Sequence, residues 1–237
     1  MIIDTEKCTG CMKCVPYCGF NAIFREGDKC HIDLDNCVEC YVCLKSEICP
    51  ENAFLEVFLE WPRNLRHTFS SVHAKFTGLG MDGRGTAEMK TNDVTGRFRL
   101  GEIGITIDVG RPGVGTKFMD VERIAMALAR RGVEFEPQNP TTSLMVDTTT
   151  GRFREDVKSE RVLSCIIEFK TTEDKLLEII ETLNEVSREI DTVFSVGCIS
   201  RCRPDGTVPI KEKLDSAGIY YRPNGKVNVG LGRPLAD

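Results

Sequence analysis

Nine of the twelve cysteines fall within residues 1–49, and eight of these stand in two runs. The first run is Cys8-x2-Cys11-x2-Cys14-x3-Cys18. The second is Cys37-x2-Cys40-x2-Cys43-x5-Cys49-Pro50. Thiols so dense close disulfides, grip a single metal ion or hold a metal–sulfur cluster. A disulfide framework belongs to an oxidising compartment. No secretory leader is readable, because Lys7 and Cys8 interrupt the start before an apolar core could form. Zinc sites pair two Cys-x2-Cys units a dozen or more residues apart, with four donors in all. A third thiol so close behind the second does not suit a tetrahedral ion. It suits one face of an iron–sulfur cube, where three irons take ligands from one tight loop and the fourth takes a distant thiolate.

In bacterial runs of this form the fourth cysteine ligates the other cluster. Cys8, Cys11, Cys14 and Cys49 are therefore expected to hold one [4Fe–4S] cluster. Cys37, Cys40, Cys43 and Cys18 are expected to hold the second. On these spacings the segment resembles the two-cluster bacterial ferredoxins. It also repeats internally, since Cys18-Gly-Phe-Asn-Ala-Ile answers Cys49-Pro-Glu-Asn-Ala-Phe. Each half reads as a cluster loop, a short helical turn and a strand, related by a pseudo-twofold. Extended stretches are expected at 1–4, 23–25, 31–33 and 55–59. Two features depart from the family pattern. Gly19 stands where a proline is usual, and two extra residues enlarge the loop between Cys43 and Cys49. Unequal cluster potentials follow as an expectation. Cys30, the ninth thiol, sits in the linking hairpin and reads as structural.

The elements that must carry these loops are set out by composition and period. The chain has 237 residues and a net charge of −5. Residues 1–60 hold five Lys/Arg against eleven Asp/Glu, a net of −6, so the remainder is near neutral. An acidic cluster segment argues against nucleic acid as partner and suits docking on a basic protein surface. No apolar run approaches the eighteen or so residues of a membrane span, and a cytoplasmic location is the expectation. Residues 61–80 carry Trp61, Arg63, Arg66, His67, His73 and Lys75 and no acid. They read as a basic linker that could strap the acidic segment in place, and its histidines have no metal site to fill.

Residues 81–237 show a second internal repeat. Thr95-Gly-Arg-Phe-Arg99 recurs as Thr150-Gly-Arg-Phe-Arg154. A strand-like run precedes each copy (86–90 and 143–147), and a strand, a helix and a strand follow. Ile103, Ile105, Ile107 and Val109 alternate with Gly104, Thr106 and Asp108, as Leu163, Cys165, Ile167 and Phe169 do in the second copy. Cys165 is thus an apolar filler on a core face. Val121, Ile124, Ala125 and Leu128 form one helical stripe, with Asp120 expected to cap the start. Leu176, Ile179, Ile180, Leu183 and Val186 form the other, with Thr171 and Asp174 as a capping box. Closing strands are expected at 133–136 and 192–196. The expected fold class is α+β. It comprises a bacterial-type 2[4Fe–4S] ferredoxin domain (1–60), the basic linker (61–80), and a duplicated β-α-β domain of the ferredoxin-like α/β sandwich type with a C-terminal hairpin (81–237).

A ligand loop is sought next. Gly110-Arg-Pro-Gly-Val-Gly-Thr-Lys117 joins a strand to a helix start, where free N–H groups and glycines favour an anion. Arg111, Gly113, Gly115, Thr116 and Lys117 are its candidate contacts for a small-molecule anion, substrate or flavin phosphate, and a plain turn is the alternative. Cys198-Ile-Ser-Arg-Cys202 is expected after the last strand, as free thiols or a redox pair. No nucleophile–base set is evident. The order of features, including 108–142, is similar to the N-terminal part of 6-hydroxynicotinate reductase-like proteins of anaerobes. That resemblance implies use of iron–sulfur clusters and a flavin to reduce a nitrogen heterocycle. The leading expectation is an electron-transfer subunit of an oligomeric oxidoreductase in anaerobic metabolism. It would deliver low-potential electrons to a reductase catalytic subunit, with flavin on that partner chain. A self-contained reductase with its ligand in the α/β domain, and a redox- and ligand-sensing module, are the alternatives.

Overall fold

The computed structural model describes residues 1–71, 98–111 and 113–223. The stretch 78–85, the strand expected at 86–90, most of the first Thr-Gly-Arg-Phe-Arg copy and the turn of the C-terminal hairpin lie outside the described residues. So do His73 and Lys75.

In the N-terminal segment the strands are short because the cysteine loops take up most of the chain between them. β1 (Ile2–Ile3) pairs antiparallel with β4 (Phe54–Leu55). β2 (Ile23–Glu26) pairs with β3 (Lys29–Ile32) across a turn at Gly27, whose φ is 62°. β4 is thus confined to the start of its expected stretch. The buried residues here include Met1, Ile23, Cys30, Tyr41, Ala53 and Phe54, packed among the sulfurs. So small a core cannot be strongly stable by apolar burial alone.

α2 (Asn64–Ser70) follows a four-residue helical turn, α1 (Val42–Lys45). Leu65 and Phe69 lie four apart on one face and are buried in the larger core downstream. That core is built on a sheet of β5 (Glu102–Val109), β7 (Glu134–Phe135), β11 (Cys165–Thr172) and β12 (Phe194–Ser200). The order is β12-β5-β11-β7, and every neighbouring pair is antiparallel. The register sets Ile107 against Ile167 and Val109 against Cys165, so the two period-two rows share a face. Apart from Leu163, which precedes β11 and is only half-buried, all of them are fully buried. α3 (Phe118–Ala129) and α4 (Leu176–Val186) bring Val121, Ile124, Leu128, Ile179 and Leu183 against that face. Each such side chain contributes roughly 1.5–3 kcal/mol by leaving water.

Four details differ from the sequence expectation. Thr171 and Asp174 form no capping box, because Thr171 belongs to β11 and a 3-10 turn (Glu173–Lys175) leads into α4, whose N-cap residue is Lys175. Asp120 does not cap α3: the N-cap residue is Lys117, and Asp120 sits in the first turn bonded to Arg123 at 2.7 Å. Cys198 lies within β12 rather than after it, opposite Ile105, because the strand continues to pair with β5 as far as Ser200. Gly197 permits this pairing, since a Cβ there would come within 2.7 Å of Thr106 Oγ1. α5 (Pro209–Ser216) was not anticipated. It has Pro at its first turn and buries only Pro209, Ile210 and Leu214, too narrow a stripe to stand out among its charges. Two further ladders complete the layer, β6 (Thr116–Lys117) with β10 (Arg161–Val162), and β8 (Met145–Asp147) with β9 (Arg152–Phe153).

Arginines join the two cores. Arg66 is 6% exposed. Its Nη1 donates to the main-chain oxygens of Leu34 (2.8 Å), Asp35 (3.0 Å) and Cys37 (2.9 Å), while its Nε donates to Glu160. Arg63 donates to Glu39 Oε1 through Nε (3.0 Å) and Nη2 (2.6 Å) and to the Leu34 oxygen through Nη1 (3.0 Å). Only a guanidinium presents this many donors in a fixed fork. Arg66→Ala leaves Glu160 buried without its cation. The expected loss is about 3–5 kcal/mol, read as a lower denaturant midpoint. Arg66→Lys is expected to recover only a minor part, because one ammonium cannot span the carbonyls and the carboxylate together.

Candidate metal centre

The two cysteine runs have the same local backbone. Cys8 N–H donates to the Asp4 oxygen at 2.9 Å, and Cys37 N–H donates to the Asp33 oxygen at 3.0 Å. The side chains of Asp4 and Asp33 each accept N–H bonds from residues two and three further on. Gly10 and Glu39, at matching positions, are left-handed at φ 65° and 53°. Met12 and Tyr41 match at 60° and 61°, and Asn21 and Asn52 at 51° and 49°. Left-handed residues alternating with right-handed ones turn successive N–H groups inward and form anion-binding concavities. Non-glycine residues hold that conformation only where the surroundings impose it. Gly10 has no alternative, since a Cβ there would stand 2.2 Å from the Asp28 oxygen.

The extra two residues of the second run are absorbed locally. Val15–Tyr17 form a 3-10 turn after the first triplet, whereas Val42–Lys45 complete a full α turn and Glu47 turns left-handed at φ 51°. Cys18 and Cys49 then arrive equivalently. Ala22 N–H donates to Cys18 Sγ at 3.2 Å, and Ala53 N–H to Cys49 Sγ at 3.3 Å.

These loops surround two voids. One is lined by Cys8, Cys11, Cys14 and Cys49, together with Cys30. The other is lined by Cys37, Cys40, Cys43 and Cys18, with Met1 and Phe20. Among the described residues no three His, Cys, Asp or Glu close around a single ion. The sulfurs are instead dispersed around each void. A zinc ion draws its donors to about 2.0–2.3 Å of one centre. A [4Fe–4S] cluster takes one thiolate at each of four corners. The donor set and the N–H groups aimed at sulfur fit the cluster.

Burial decides the state of the thiols on their own. It pushes Cys14 up to about 12, helped by neighbouring Cys30. It pushes Cys37 up to about 11, with the Glu39 carboxylate adding to it. Cys43 reaches about 12 by burial and then by Cys40 and Cys37, and burial also raises Cys40. Cys8 is the exception. Burial is its largest single influence and raises it, but N–H donation from Cys30 and Gly10 outweighs this and leaves it lowered. Thiolates crowded this closely need cations, so metal uptake here releases protons.

The structure keeps Arg111, Gly113, Gly115, Thr116 and Lys117 together in the loop from β5 to α3, and accounts for much of it by packing. Gly110 and Gly115 are close approaches: a Cβ would meet the Leu163 oxygen at 2.7 Å in one case and the Phe20 ring at 2.7 Å in the other. Thr116 and Lys117 form β6. The N–H groups of Phe118 and Met119, which an anion would use, already donate to the Glu160 and Lys158 oxygens. Arg111 lies 3.9 Å from Asp108. The loop is nonetheless beside the second void, because Phe20 lines that void and also meets Arg161, 5.6 Å away over its ring. Cys198 packs at the larger core, its thiol pushed up to about 12 by burial, and Cys202 is exposed.

The pairing of Cys30 with the first void escaped the sequence reading. Its only signal was the 29-residue shift that makes it equivalent to Met1. Glu39 and Tyr41 as left-handed positions were readable from the same shift, through Gly10 and Met12.

Comparison with known proteins agrees with this geometry. The family described as 4Fe-4S binding domain matches residues 1–24. The N-terminal segment therefore carries a [4Fe–4S]-binding domain. The chain is similar to "Pyruvate synthase subunit PorD" of Methanocaldococcus jannaschii, 39% identical over 57 residues. The match covers 24% of this chain, and the chain spans 64% of that relative's length. No solved structure matches.

Gly10→Ala is expected to lower the iron content of the reconstituted chain, because the Cβ forces the first loop off its turn. Gly19→Ala is the control. Nothing lies within 4 Å of a Cβ at that position, so iron content is expected to stay unchanged by colorimetric assay.

Proposed function

We propose that this chain is an electron-transfer subunit that holds two [4Fe–4S] clusters and serves a larger oxidoreductase. The observation that carries the reading is the pair of cysteine-lined voids built by loops of matching backbone. A bound [4Fe–4S] cluster supplies one-electron transfer, with a potential set by hydrogen bonds to sulfur, charge and exposure. In this reading Cys8, Cys11, Cys14 and Cys49 hold the first cluster, and Cys37, Cys40, Cys43 and Cys18 hold the second. The N–H groups of Ala22 and Ala53 steady the two crossing ligands. Similarity to a subunit of pyruvate synthase supports a partner chain that binds the substrate, in an anaerobic setting.

The rest of the chain acts as the mount. Its strand order, with α3 and α4 on one face, supports a ferredoxin-like α/β sandwich formed by duplication of a β-α-β unit. The name of that fold carries no function. Arg63, Arg66, Arg161 and the loop at Gly115 all reach the second void's side, while Cys11 of the first void is exposed. The first void is therefore the side open to an outside redox protein, and the second faces the mount. Domain limits of 1–60, 61–80 and 81–237 are compatible with this division, although Leu65 and Phe69 of the middle segment pack with the larger core. The alternative of a reductase with flavin or substrate in the chain itself draws on one observation, the closeness of the Arg111–Lys117 loop to Phe20 and the second void. Binding of a flavin or a nitrogen heterocycle by the purified chain would favour it.

The crossed assignment is tested with single variants. Cys18→Ala is expected to alter only the second cluster's electron paramagnetic resonance signal, and Cys49→Ala only the first. Loss of both signals from Cys18→Ala alone would contradict the assignment.

A further inference from the structure

Under the internal shift, each cysteine of the first run has a cysteine counterpart in the second. Cys30 does not: the residue 29 positions earlier is Met1. Both are 1% exposed, and each lines a void, Met1 the second and Cys30 the first. The position therefore faces the metal site in both halves of the repeat. In the second half it offers a thioether, in the first a thiol. The first void accordingly has five cysteine sulfurs and the second has four.

Cys30 is held where it is by β3. It pairs with Arg25 of β2, and its N–H donates to Cys8 Sγ at 3.4 Å. Its thiol stands beside those of Cys8 and Cys14 around the same void. It is shielded from solvent and carries no role in the two-cluster reading, on which the following step rests. We propose that Cys30 is an alternate iron ligand of the first void, able to take the iron otherwise held by Cys14. In the exchange Cys30 gives up its thiol proton and forms an Fe–S bond. The Fe–S bond to Cys14 breaks, and Cys14 takes up a proton. No electron changes hands, and the cluster keeps four cysteine ligands. The second void has no such reserve, because the thioether of Met1 is a weaker donor to iron than a thiolate.

The matched positions Cys14 and Cys43 make the test internal to one protein. The wild-type chain, Cys14→Ala, Cys43→Ala and Cys14→Ala/Cys30→Ala are purified anaerobically, reconstituted and compared for iron and sulfide content and for paramagnetic resonance. The wild type is expected to hold on the order of eight irons, four per cluster. Cys14→Ala is expected to keep that complement, whereas Cys43→Ala loses iron and shows a three-iron signal. The double variant is expected to lose iron from the first void. Cys14→Val, alone and with Cys30→Ala, repeats the comparison should Cys14→Ala fail to fold. The proposal is overturned if Cys14→Ala, or Cys14→Val in its place, loses as much iron as Cys43→Ala, or if removing Cys30 changes nothing further. A wild type without two four-iron clusters overturns the two-cluster reading itself, and this proposal with it.

Discussion

Everything in the N-terminal segment follows from one geometric demand. A loop of seven residues must bring three sulfurs to one point and turn its N–H groups toward the negative charge that collects there. Neither a helix nor a strand does this, because both commit N–H groups to their own ladders. The chain meets the demand with left-handed residues at Gly10 and Met12, and again at Glu39 and Tyr41. Such positions are unfavourable for ordinary side chains, so something must hold them. Asp4 and Asp33 tie off the start of each loop by accepting its first N–H bonds, and β1 and β3 hold those aspartates in line. The fourth sulfur arrives from the other loop, which makes each site depend on the other's backbone. With so little apolar burial in this segment, metal binding is itself a large part of what stabilises it.

The second structural device is charge placed where water is excluded. Glu39 is buried beside a cluster loop, an unfavourable position for a carboxylate without a partner. Arg63 supplies that partner, and Arg66 caps the carbonyls of Leu34, Asp35 and Cys37 from the next turn of the same short helix. His67 follows, with Nδ1 2.8 Å from the Glu39 oxygen and its ring 4.3 Å from that of Tyr41. Three consecutive functions on one helix face thus bind the second loop, while Leu65 and Phe69 on the opposite face bind the larger core. α2 is the rivet between two cores.

Much of this was legible in the sequence, for reasons that differ by element. Cysteine spacing is read directly, because ligand geometry constrains residue type at fixed intervals. β5, β11, α3 and α4 announced themselves through unbroken periods of two and about 3.6, each long enough to outvote noise. β12 was cut short because Gly197 and Cys198 interrupt the apolar alternation, yet Gly197 is there to clear Thr106. α5 does not stand out in the sequence because a helix that buries only Pro209, Ile210 and Leu214 has almost no stripe. The loop at 110–117 looked like an anion site because glycines that clear a neighbouring backbone and glycines that admit a ligand are the same letters. Only the neighbour, Phe20 or Leu163, separates them. Cys30 reads as structural from the sequence, since its place at the first void depends on a fold symmetry that spacing between cysteines does not display.

That symmetry also shows how far two sites on one backbone pattern can diverge. The first void has Lys29 donating to the Cys8 oxygen at 2.7 Å, a fifth thiol and an exposed Cys11. The second has a buried carboxylate, guanidinium groups at its loop, an added helical turn and the larger core behind it. Reduction potential responds to hydrogen bonding at sulfur, net charge and solvent access, and all three differ between the voids. Equal potentials would require these differences to cancel. The loops preserve where the sulfurs stand, and the surroundings distinguish them, so a duplicated fold yields a pair with an outer end and an inner end. The proposed carrier, receiving at one surface and delivering at another, needs that inequality, and much of it lies in residues outside the two cysteine sets, such as Lys29, Glu39, Arg63 and Arg66.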